Sequence, residues 1–118
     1  MRRLALLPVL LATLFLGACD DLTAPGSRSL DGQWSARIDG EEVWVSLRDD
    51  RGDIRGSGDW GFDDVSVRGE RIDSEVYLIF EFDDFNPIEL EGEIVSREID
   101  GRLYGSGLEG DRVRFRRD

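Results

Sequence analysis

From Leu30 to the last residue, apolar positions recur at every second place, and no eleven-residue stretch carries helical spacing. That rhythm marks strands with one buried face, because successive side chains on a strand point to opposite sides. Trp34, Ala36 and Ile38 alternate with Gln33, Ser35 and Arg37, and Val43, Val45 and Leu47 alternate with Glu42, Trp44, Ser46 and Arg48. Ile54, Gly56 and Gly58 lead to Trp60, and Val65 and Val67 follow. Val76, Leu78, Phe80 and Phe82 share one side, with Glu75, Tyr77, Ile79 and Glu81 on the other. Ile88, Leu90, Gly92 and Ile94 oppose Glu89, Glu91 and Glu93, while Ile99, Gly101, Leu103, Gly105 and Gly107 oppose Glu98, Asp100, Arg102 and Tyr104. Val113 and Phe115, opposed by Arg112, Arg114 and Arg116, complete eight predicted strands.

Short glycine-rich turns between these runs predict an all-β, eight-stranded antiparallel up-and-down meander barrel, with a two-sheet β-sandwich as the alternative. Closure removes the exposed strand edges that invite aggregation. Inward glycines at positions 56, 58, 92, 101, 105 and 107 suit a tightly bent wall. With about three inward side chains per strand, such a barrel fills its interior with its own residues. A short echo, Ile54-Arg55-Gly56-Ser57-Gly58 against Leu103-Tyr104-Gly105-Ser106-Gly107, pairs the third and fourth strands with the seventh and eighth. In general style, including its Gly32-x-Trp34 opening, the domain resembles the up-and-down barrels of avidins and lipocalins.

The first residues follow a different pattern. Met1-Arg2-Arg3 is a short positive region, and Leu4 to Leu16 is apolar apart from Pro8 and Thr13. As a helix that run spans about 20 Å, short of the roughly 30 Å hydrocarbon core of a bilayer. It therefore reads as the core of an export signal. Leu16-Gly17-Ala18-Cys19 closely resembles the lipobox of bacterial lipoproteins. That resemblance implies diacylglycerol on the Cys19 thiol, cleavage just before it, and attachment to the inner or outer membrane of the cell envelope. The expected organisation is a signal peptide over 1–18, a lipidated cysteine and flexible tether over 19–29, and the barrel domain over 30–118. Loss of Arg2 and Arg3 takes the formal charge from −11 to −13.

Composition narrows the chemistry. Every basic residue is arginine, and lysine and histidine are absent. The usual general base and the commonest transition-metal ligand are therefore missing, as is Schiff-base chemistry. The acidic balance disfavours nucleic acid. One cysteine permits no internal disulfide. No enzyme, cofactor or metal site is expected. Asp49 to Asp53 (DDRGD) and Asp59 to Asp64 (DWGFDD) are acid-rich, but neither matches a calcium loop. Arg51-Gly52-Asp53 reads as a hairpin turn. On the outer wall, Glu89, Glu91 and Glu93 are expected to pair across strands with Arg112, Arg114 and Arg116.

In an up-and-down barrel alternate loops share an end. The end away from the tether collects Asp39 to Glu41, Asp59 to Asp64, Asp83 to Pro87 and Gly107 to Asp111. It carries Trp60, Phe62, Phe85 and Leu108 among Asp63, Asp64, Asp83 and Asp84, the candidate binding rim. These apolar side chains either plug the barrel mouth or supply contact area beside carboxylates that select a cationic partner. The expected function is that of an exported, lipid-anchored protein-interaction module whose acidic surface suits a basic envelope protein. Small lipid-anchored barrels that inhibit lysozyme resemble it in size and style, although this domain lacks their cysteines. A small-ligand carrier and a structural surface lipoprotein are the alternatives.

Overall fold

A computed structural model describes residues 29–118, so the signal-like segment and Cys19 lie outside the described residues. Eight strands follow one another: β1 (Gly32–Ile38), β2 (Glu41–Asp50), β3 (Asp53–Trp60), β4 (Asp63–Ile72), β5 (Glu75–Glu81), β6 (Ile88–Val95), β7 (Glu98–Gly105) and β8 (Leu108–Arg117). Each pairs antiparallel with the next, and β8 returns to β1 to close a barrel, not a sandwich. Two-residue turns set the register. At Asp39-Gly40, Arg51-Gly52 and Ser106-Gly107 both residues have positive φ, the conformation whose twist matches that of the flanking strands.

The alternation is visible in burial. On β2, Val43, Val45 and Leu47 are buried while Trp44, Ser46 and Arg48 are exposed. Leu78, Phe80, Leu90, Leu103 and Phe115 meet in the interior, each at most 1% exposed. Phe80 stacks on Phe115 with ring centroids 5.9 Å apart. The barrel centre is thus occupied by hydrocarbon, as eight-stranded barrels of this width allow.

Some boundaries differ from the sequence reading. Strand β4 runs on to Ile72, which makes Gly69 a wall position, and β7 stops at Gly105, which leaves Gly107 in a turn. Ile54 to Gly58 lies inside β3, whereas Leu103 to Gly107 straddles a strand end and a turn, so the two echoing segments occupy unlike places. The expected wall pairing is also redrawn. The β8 arginines reach the adjacent strand, Arg114 to Asp100 at 2.9 Å and to Glu98 at 3.4 Å, and Arg116 to Glu98 at 3.4 Å. Glu89, Glu91 and Glu93 sit one strand further away, beyond their reach.

The end holding the described N-terminus is closed by a network. Leu30 is fully buried, and its carbonyl accepts a 2.9 Å bond from Trp34 Nε1. The Arg117 guanidinium lies 4.4 Å from the Trp34 ring centroid and donates to the carbonyls of Ser29 and Asp31. The Asp49 carboxylate accepts from Leu30 N at 2.9 Å, Gly52 N at 2.8 Å and Arg71 Nε at 2.7 Å. Burial pushes the Asp49 carboxyl up, but the bonds from Arg71, Leu30 and Gly52 outweigh it and hold it below the usual aspartate range. A longer bond from Arg71 Nη2 at 3.4 Å brings the number to four, about what a carboxylate accepts.

Candidate functional site at the distal mouth

The opposite end is ringed by Asp39-Gly40, Gly61-Phe62, Phe82 to Pro87 and Ser106-Gly107. The β5–β6 connection is the one long loop among them. It is tied to the β7–β8 turn by Ser106 Oγ, which donates to Asn86 O at 3.1 Å. The expected loop residues Asp59, Asp63 and Asp64 are strand residues instead, with Asp59 opposite Asp64 and Trp60 opposite Asp63. The expected loop at Gly107 to Asp111 is likewise mostly strand, because β8 begins at Leu108.

The four apolar rim candidates divide by position. Trp60 is the last residue of β3 and points inward; it is 7% exposed. Its ring meets Phe80 and Phe82 edge-on at 5.4 and 5.5 Å. Leu108 is half-buried and packs against the same core. These two cap the interior. Phe85 leans edge-on against Phe82 at 6.1 Å, yet it is 56% exposed. Phe62 stands free, with no part of its ring covered. Its position follows from the turn: Gly61, at φ 64°, takes the first corner, so Phe62 occupies the tip. A bond from Gly61 N to Glu42 O at 2.8 Å fixes that turn against β2.

Around the two phenylalanines stand Asp59, Asp63, Asp64, Asp83 and Asp84, all exposed. None of these makes a salt bridge among the described residues. Arg37, the arginine of strand β1, is engaged by Glu42 at 3.4 Å. Asp59 and Asp64 are paired directly across β3 and β4, an arrangement that costs stability through like-charge repulsion. Among the described residues no group of three or more carboxylates is placed to hold a metal ion. The mouth is therefore a negative field with two large apolar contacts on fixed turns. It can attract cationic groups over roughly a Debye length, about 8 Å at physiological salt, and offer ring area on contact.

The opposite network was missed by the sequence reading, although a signal existed. Continuing the alternation one step beyond Leu47, Gly69 and Phe115 places Asp49, Arg71 and Arg117 on the inward face. Comparison with protein-family models, with curated proteins and with solved structures finds no match.

Proposed function

We propose that this protein is a lipid-anchored, non-enzymatic interaction module of the cell envelope, whose distal mouth engages a basic partner protein. The observation that carries the reading is the placement of Phe62 and Phe85, exposed on turns amid five carboxylates without salt bridges, at the end opposite the described N-terminus. A tether leaving from Ser29 departs at the far end of the barrel, so an anchor there directs the mouth outward. Aromatic area beside unneutralised charge is what a salt-sensitive protein contact uses, the rings holding and the charges steering. The Leu16-Gly17-Ala18-Cys19 motif supports the anchor. The interior packing of Leu78, Phe80, Leu90 and Leu103 weighs against the small-ligand carrier, which needs a cavity of a few hundred Å3.

The test is photo-crosslinking in intact cells from positions 62 and 85, with Ser57 on the outer wall as control. Products specific to 62 and 85, containing a protein with a cationic surface and lost at high salt, support the reading. Equal labelling from position 57, or none from the mouth, rejects it.

A further inference from the structure

An open concavity lies on the outer wall, away from the mouth. It is an open groove of about 880 Å3 running over β5 to β8. Its floor is the Gly92–Gly101 pair, directly opposed on β6 and β7. A methyl group on either glycine would meet the backbone of the neighbouring strand, so the two strands crease together there. One bank carries Glu75, Glu91 and Glu93, and the other carries Arg112, Arg114 and Arg116.

Within one chain Arg114 and Arg116 pair with Glu98 and Asp100 of β7, whereas the acidic bank has no such partner among the described residues. Glu75 lies directly opposite Glu93, Glu93 opposite Asp100, and Arg102 opposite Arg112. Like charges in directly opposed pairs are destabilising. Glu75, Glu91, Glu93 and Arg112 make no salt bridge among the described residues. Acids and arginines are nevertheless equal in number around the groove, on a chain whose formal charge is −11. This wall therefore does not repel its own copy as the acidic mouth does. Acid dominates the β5–β6 side and arginine the β8 side, with Asp100 and Arg102 of β7 between them.

We propose that this wall is a self-recognition surface and that its occupant is a second copy of the chain. A two-fold axis lying in the interface and running along the groove carries the acidic bank of each copy onto the arginine bank of the other. Each like-charge row then gains opposite charges, and the contact is isologous, the same patch serving both partners. At physiological salt the distant mouth carboxylates are screened over about 8 Å, so they do not prevent the approach.

Charge reversal tests this without disturbing the core, since Glu91 and Arg112, level with each other across Arg102, are both exposed. The purified full chain, with E91R and R112E variants, is sedimented at about 50 mM and about 500 mM salt. Circular dichroism melts verify folding. The expected result is a wild-type dimer that dissociates at high salt. Each variant alone should be at least about tenfold weaker in self-association, because both symmetric contacts become repulsive. An equimolar mixture of the two should dimerise again, since one contact is inverted and the other is native. A wild-type monomer at low salt, a dimer indifferent to both reversals, or a mixture that stays monomeric would overturn the proposal.

Discussion

Replacing Trp60 by serine and, separately, Phe62 by serine tests the division of the mouth into plug and contact. Two positions separate these rings in sequence, yet they are 7% and 106% exposed. A buried tryptophan removes 150–250 Å2 from water, worth about 4–6 kcal/mol at roughly 25 cal/mol per Å2. Its two edge-on contacts with Phe80 and Phe82 are part of what is lost. Measured truncations of buried Phe and Trp cost about 3–5 kcal/mol, so about 4 kcal/mol is expected for W60S. In a domain of this size each kcal/mol moves the melting temperature by about 4–8 °C, giving a fall of about 15–30 °C. Total stability is on the order of 5–13 kcal/mol for some ninety residues, so the variant keeps a folded population at low temperature. For F62S the stability change should stay within about 0.5 kcal/mol, the usual range for a surface substitution. Urea unfolding followed by circular dichroism reads both. A W60S change below about 1 kcal/mol, or an F62S change above it, would refute the packing argument. Only F62S should reduce partner crosslinking from position 85 while the melt is unchanged.

Asp49→Asn removes the charge from a carboxylate whose side chain is 1% exposed and leaves Arg71, 16% exposed, without its counter-ion; a loss of about 2–4 kcal/mol should appear in the same urea experiment. Because the Asp49 carboxyl is held below its ordinary value when folded, its contribution is complete above about pH 5. That contribution is lost as pH falls through the unfolded value near 3.9 toward the lower native one, so wild type should lose stability with acid more steeply than D49N. Arg117→Ala removes the donors to Ser29 and Asp31 and the ring contact on Trp34; hydrogen exchange should accelerate at the amides of residues 30–34 before those of β4 to β6. Gly58→Ala sets a methyl against the Trp44 carbonyl and the Val45 backbone, and should cost more than the about 1 kcal/mol typical of point substitutions, read by its melt.

The strands were legible because the burial period is two and the turns are short. Val43, Val45 and Leu47 announce an inward face without reference to anything distant, and so do Leu78 and Phe80. Closure was legible for the same reason, since every run has one apolar side and no spare strand. Less legible was where alternation ends. Asp59 and Asp64 look like loop residues by type, but pairing with each other extends β3 and β4 almost to the tip. Polar residue type also hid the inward parity of Asp49, Arg71 and Arg117, whose burial is made tolerable by partners remote in sequence, up to 88 residues apart. The rim was legible as a region but not residue by residue. Trp60 turns in and Phe62 out because one ends a strand and the other follows a glycine corner, a distinction of backbone rather than of hydrophobicity. Partner strands were ambiguous too: the β8 arginines found Glu98 and Asp100, which alternation alone does not rank above Glu91 and Glu93.

The clasp of Arg117 on Ser29 and Asp31 joins the two termini of the domain. A pull arriving from the N-terminal side does not simply peel β1 away, because Ser29 and Asp31 are gripped by Arg117. Tension entering there is handed at once to β8, and from β8 through its ladder to β7. Trimming two residues from the C-terminus would therefore slacken the opposite terminus, and the barrel would begin to yield at the point where it is held.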